Sequence, residues 1–193
     1  MIEASDYDLL QRMAAGDADA LTALYHRRQA PVYRFALEMS GSEAVAEDVV
    51  QEVFLTLMRD HAAYDPKRGS VASFLYGVAR NHVRRRLTRR WSAAEDSDQE
   101  PVADDHPESE LARSELIASV RSAVLALPMR YREVVVLCDL EEADYTEAAA
   151  SLGCAVGTVR SRLHRARRLL AERLREVGSA EVRRSARPAG CAI

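Results

Sequence analysis

The chain has 193 residues, 48% of them hydrophobic and 30% charged, with a formal net charge of -3. That balance is globular rather than disordered, and the length suits one ordinary core or two small ones. Its apolar runs, such as Val134 to Cys138, fall far short of the ~20 residues that cross a bilayer, and the opening MIEASDYDLL is acidic, unlike a signal peptide. A cytoplasmic protein with no membrane insertion is expected. Cys138, Cys154 and Cys191 are scattered, as are the five histidines, so no disulfide framework, metal site, cofactor or catalytic cluster is expected.

Apolar residues recur at helical spacing almost throughout, and no convincing strand can be read, so the expected fold is all-α. Asp17 is placed to cap a helix carrying Leu21, Leu24 and Tyr25, and Pro31 to begin a second with Val32, Phe35 and Met39 inward. Gly41 ends it. Ser42 then caps SEAVAEDVVQEVFLTLMRD, where Val45, Val49, Val53 and Leu57 form a stripe that Phe54 and Met58 broaden, leaving Asp48, Gln51, Glu52 and Arg59 outside. After the loop HAAYDPKRG, Ser70 caps VASFLYGVARNHVRRRLTRRW, with Val71, Phe74, Leu75, Val78 and Val83 on its buried face.

The charges are segregated. Residues 80 to 90 hold six arginines and no carboxylate, whereas residues 95 to 110 hold eight carboxylates and no Lys or Arg. The stretch 92–110 also carries Pro and Ser with almost nothing large to bury, and is expected to be a flexible acidic linker. Beyond it, LARSELIASVRSAVLAL spaces Leu111, Ile117, Val120, Val124 and Leu127 for burial, and PMRYREVVVLCDL reads as a further buried helix.

Asp144 and Glu147 form a plausible capping pair for YTEAAASL, Gly153 supplies a turn, and a second helix starts near Val156. It carries seven arginines and one Glu by Arg175. A helix, a tight glycine turn and an arginine-rich helix make the pattern of a helix-turn-helix. A seam of Val156, Val159, Leu163, Ala166 and Leu170 leaves Thr158, Arg160, Ser161, Arg162 and Arg165 free, side chains suited to a major groove. Arg167 and Arg168 are expected to meet phosphates or solvent. The polar tail 177–193 is expected to lack structure.

EDVVQEVFLTL, FLYGVARNHVRRR, LPMRYREVVVL and DYTEAAASLGCAVGTVRSRLHRAR, in that order, resemble the bacterial RNA polymerase sigma factors of the extracytoplasmic-function type, over residues 5 to 175. The resemblance implies two small helical domains. Residues 5–91 would be region 2, 92–110 the linker, and 111–176 region 4. It implies a non-enzymatic factor that binds core RNA polymerase and directs promoter-specific initiation in response to a stress or envelope signal. Asp48, Gln51 and Glu52 would dock on the polymerase. Arg80, Asn81, Arg84 and Arg85 would engage the opened −10 element, with Tyr64, Lys67 and Arg68 in the loop that receives a flipped base. Tyr64 is read either as a stacking residue or as a tyrosine at the core edge. Thr158, Arg160, Ser161, Arg162 and Arg165 would read the −35 element.

Many relatives carry Asp four residues after the Asn of the −10 helix, where this chain has Arg85, so the preferred −10 sequence stays open. Family members are usually restrained by an anti-sigma protein, and such a partner is expected here, for a chain that is monomeric when free. The main alternative is a stand-alone helix-turn-helix regulator, which would dimerise, yet no heptad zipper is visible. A helical enzyme acting on nucleic acid lacks a nucleophile or acid/base pair, and against an inactive adaptor of the same fold stand the intact basic faces.

Overall fold

The computed structural model describes residues 4–94 and 111–185, and among them eight α-helices and no strand occur. Residues 95–110, most of the expected linker, and 186–193 lie outside the described residues.

Helix α1 (Asp6–Ala14) begins with a capping box, Ser5 Oγ accepting from the Asp8 amide while the Asp8 carboxylate accepts from the Ser5 amide at 3.0 Å. Its Asp6 receives Arg27, at 2.9 Å, and Arg28 from the next helix. Helix α2 (Ala18–Ser40) is capped by Asp17 as expected, but it is one helix rather than two, with Pro31 inside it. Pro31 has no N–H to offer the preceding turn, a loss of ~3 kcal/mol in an ordinary helix. The burial of Leu24, Val32, Phe35, Ala36 and Met39 along one continuous face offsets it, since each large side chain contributes roughly 1.5–3 kcal/mol.

Gly41 closes α2 at φ 68°, and a Cβ there would lie 2.7 Å from Leu125 Cδ1. The position thus needs glycine for conformation and for space. Helix α3 (Glu43–Asp60) starts at Ser42 and buries Val45, Val49, Val53, Phe54 and Leu57. Met58 departs from the expected stripe and is 51% exposed. Tyr25 closes over Phe54 at a ring separation of 4.7 Å, whereas one turn later Met58 has left that shelter. Helix α4 (Val71–Ala94) buries Val71, Leu75, Tyr76, Ala79 and Val83; Phe74 and Val78 sit half-buried at its border.

In the second half, α5 (Leu111–Leu125), α6 (Met129–Val135), α7 (Tyr145–Leu152) and α8 (Val156–Ser185) follow. VVVLC is helical, with Val134 to Leu137 buried and Cys138 half-buried, and it runs into a π turn over Val136–Leu140. Ile117 departs from expectation at 48% exposed, whereas Val124 in the last turn of α5 and Leu127 just beyond it are buried. Helix α8 continues through Ser185 into the stretch expected to lack structure. Gly178, inside the helix, costs it only about 1 kcal/mol.

The halves share one hydrophobic core, α5 packing on α2 and α7 on α4. Arg132 of α6 ties them together. Its guanidinium donates to the Met39 carbonyl at 2.7 Å, to Leu127 at 3.2 Å, and to Leu125, so one cation serves the carbonyl ends of α2 and α5. Arg132→Met keeps the stem but strands those carbonyls. It is expected to lower stability by about 2–3 kcal/mol in urea unfolding, with native helicity retained.

Candidate nucleic-acid interface

The α7–α8 unit is built by local chemistry. Asp144 Oδ1 accepts from the Thr146 and Glu147 amides at 2.7 and 2.8 Å, and Gly153 turns the chain at φ 63°. Glu147 does not complete a capping box: its carboxylate accepts instead from Ser70 Oγ, 2.9 Å away at the head of α4. Val159, Leu163 and Ala166 are buried in the core, and this seam fixes the rotation of α8. Arg160, Ser161 and Arg165 are thereby exposed, with Thr158 and Arg162 half-buried beside them.

Two tyrosines that periodicity does not reveal stand behind this face. The Arg160 guanidinium lies 5.7 Å from the Tyr145 ring, a cation–π contact across the turn. The Arg165 guanidinium beside the Tyr131 hydroxyl, aided by Arg130, lowers the tyrosine's pKa. Arg167 is exposed, and its fork closes on Asp139 at 3.1 and 2.5 Å. Arg168 lies 3.8 Å from Glu172.

Helix α4 and the loop before it form a second basic surface. Asn81, Arg84 and Arg85 are exposed, as are Lys67 and Arg68. Arg80 is turned inward, its Nε 2.7 Å from the buried Glu133 of α6. Tyr64 is half-buried, donating to the Gly69 carbonyl at 3.1 Å, with its ring edge toward Phe74 at 5.8 Å and Tyr7 at 6.3 Å; burial raises its pKa. In this geometry Tyr64 braces the loop at the core edge. The Asp65 carboxylate accepts from the Lys67 amide and shapes the loop tip. Between loop and helix lies a cleft of about 290 Å³ lined by Tyr64, Arg68, Ser73 and Asn81, with Ala150 to Gly153 of α7 and its turn as the far wall.

On α3, Asp48 and Gln51 are exposed and Glu52 half-buried. Asp48 accepts from Arg86 of α4 at 2.7 Å. Leu55, 49% exposed, and Met58 continue the same face one and two turns on. The expectation from sequence missed both, having placed Met58 inside and left Leu55 unassigned. Among the described residues no group of three His, Cys, Asp or Glu is placed to hold a metal ion, and no helix is long and apolar enough to cross a membrane.

The family description "Sigma-70 region 2" matches residues 24–93, and "Sigma-70, region 4" matches residues 117–170. The chain is 33% identical over 175 residues to the ECF RNA polymerase sigma factor SigM of Mycobacterium tuberculosis, covering 89% of this chain and 86% of that protein. It is 38% identical over 169 residues to the ECF RNA polymerase sigma factor SigE of Mycolicibacterium smegmatis, covering 83% of this chain but 65% of the longer relative. Among solved structures, CnrH in complex with the cytosolic domain of CnrY superposes with a TM-score of 0.69 at 29% identity, covering 89% of this chain and 97% of that one. The sigma factor RpoE of Bartonella quintana, in complex with the anti-sigma factor NepR, superposes with a TM-score of 0.64 at 26% identity, covering 76% and 91%.

His82 lies on α4 behind the polar face of α3, its Nε2 3.5 Å from Thr56 Oγ1. Burial, with Arg85, Arg86 and Arg59 nearby and only Glu52 opposing, lowers its pKa from 6.5. The folded state therefore favours neutral imidazole, and the stability this gives is present above pH 6.5 and lost as pH falls through the lowered value. Replacing His82 by Gln is expected to flatten the decline of the urea midpoint between pH 7 and 5, and proton NMR of wild type to place the His82 midpoint below 6.5.

Proposed function

The chain belongs to the extracytoplasmic-function class of RNA polymerase sigma factors, and we propose that it binds core RNA polymerase in the cytoplasm and directs it to a small set of promoters. The observation that carries this reading is the outward-facing set Arg160, Ser161 and Arg165, fixed by the buried seam of α8 on a chain that matches both sigma regions. Residues 5–91 serve as region 2, 92–110 as the linker, 111–176 as region 4 and 177–193 as a tail.

Helix α8 enters the major groove of the −35 element, where arginine offers paired donors to guanine and Thr158 and Ser161 contribute shorter polar contacts. Arg162 joins them from its half-buried position. The −10 element meets Arg84, Arg85, Asn81, Lys67 and Arg68, a positively charged track for one opened strand, with the loop cleft available to an extruded base. Tyr64 shapes that cleft from the side. Arg80 joins this surface once it leaves Glu133.

Core polymerase docks on α3. Asp48, Gln51 and Glu52 supply polar contacts, and Leu55 and Met58 supply the apolar centre that such an interface needs. The factor contributes recognition and strand capture, while the polymerase carries out the chemistry. By analogy with the neighbouring structures, which contain NepR and the cytosolic domain of CnrY, an anti-sigma protein holds this chain in check until a stress or envelope signal releases it.

Leu55→Glu places a charge at the centre of the docking face without touching the core. It is expected to abolish co-elution of the monomeric chain with sigma-free core polymerase while duplex binding survives; undiminished co-elution would remove α3 from the interface. In a panel of −35 duplexes, Arg160→Ala is expected to cost ~1–3 kcal/mol of discrimination at one base pair. Lys67→Ala should weaken opened-strand binding on all sequences and reduce its salt slope by about one.

A further inference from the structure

We propose that Tyr145 is a positioning residue for the −35 reader: its ring holds the Arg160 guanidinium so that Arg160 meets a base instead of a phosphate. The inference rests on the sigma reading above and names what makes one arginine of α8 specific. An exposed arginine beside duplex DNA has phosphates within reach at both lips of the groove, and contacts with them carry no sequence information. Something must hold the side chain off them.

The arginines of α8 differ in what their partners leave free. The Arg167 fork is taken up by Asp139 through Nε and Nη2, at 3.1 and 2.5 Å, and has little left to offer a guanine. Arg160 is exposed and, among the described residues, pairs with no carboxylate; its partner is the Tyr145 ring, with Cζ over it at 5.7 Å from the centroid. A ring attracts the cation without occupying the paired donors that a carboxylate would take. The fork that matches the O6 and N7 acceptors of guanine is thereby left available.

Neither end of this contact is loose. Tyr145 opens α7 beside the Asp144 cap, whose carboxylate accepts from the Thr146 and Glu147 amides at 2.7 and 2.8 Å. Arg160 follows the wholly buried Val159, and Leu163, nearly a turn on, is 2% exposed. Gly153, at φ 63°, joins the two helices. With the ring rooted on one helix and the cation on the other, the Arg160 stem is ordered before DNA arrives, so less rotamer freedom is lost on binding. Tyr145 itself is 37% exposed, so the ring can be removed without opening the core.

The test begins with the wild-type chain, which enriches preferred sequences from a duplex library randomised across the bound major groove. Arg160→Ala then identifies the base pair that Arg160 reads. Tyr145→Leu is expected to lose about two- to fivefold of the discrimination at that pair, the worth of an exposed cation–π contact. Without the ring Arg160 falls onto a phosphate, so the salt slope of duplex binding steepens by about one in Tyr145→Leu, whereas Arg160→Ala shows no such steepening. A loss of fold would not produce that change. Tyr145→Phe keeps the ring and should behave as wild type. Tyr145→pentafluorophenylalanine fills the same space with the ring's charge distribution reversed, and should behave as Tyr145→Leu, so this pair decides the matter even if the leucine variant does not fold.

Unaltered discrimination in folded Tyr145→Leu, an unchanged salt slope, or equal behaviour of the two ring-bearing variants would each overturn the proposal. If the wild type enriches no sequence, the sigma reading fails and this inference with it. Preferred sequences that Arg160→Ala reads as well as wild type would leave that reading standing and end this one.

Discussion

Glu133 is 2% exposed, in the middle of α6, and the charge that compensates it comes from Arg80, 53 residues earlier and on the other half of the chain. A lone carboxylate at that depth is costly, so α6 can sit there only with α4 alongside. The position of α4 then sets those of α7 above it and of the turn leading into α8. A buried ion pair of this kind adds little net stability, because separating the halves returns both charges to water.

Arginine is everywhere in this protein, and its allocation separates structure from function. Arg27 and Arg28 pin α1 through Asp6, Arg132 gathers helix-end carbonyls, Arg167 forks onto Asp139, and Arg86 holds Asp48. Those arginines are committed to the fold. Arg85, Arg160 and Arg165 are exposed, and they are the side chains proposed to meet DNA. An excess of one cationic residue is therefore no direct measure of a binding surface. The buried seam of Val159, Leu163 and Ala166 decides which arginines of α8 remain available.

Features governed by neighbouring residues were legible in the sequence. Gly41, Ser42, Ser70, Asp144 and Gly153 mark helix ends by their own chemistry, and each stands at the terminus expected of it. Features that depend on a distant partner were not. Pro31 reads as a helix start because its local penalty is visible while the core that offsets it is not. Ile117 and Met58 fit an apolar stripe but are about half exposed, since no neighbouring helix covers them. Glu147 fits a capping box, yet Ser70, 77 residues away, claims it. The supports of Arg160 and Arg165 come from tyrosines on other helices, which no periodicity within α8 can disclose.

The central claim, that this chain gives RNA polymerase its choice of promoter, is tested most directly by mixing it with sigma-free core enzyme and genomic DNA from its source and mapping the 5′ ends of the transcripts. The account predicts discrete start sites that vanish on combined charge reversal at Asp48 and Glu52. Transcripts no different from those of core enzyme alone, made in the presence of folded chain freed of any inhibitor, would contradict it.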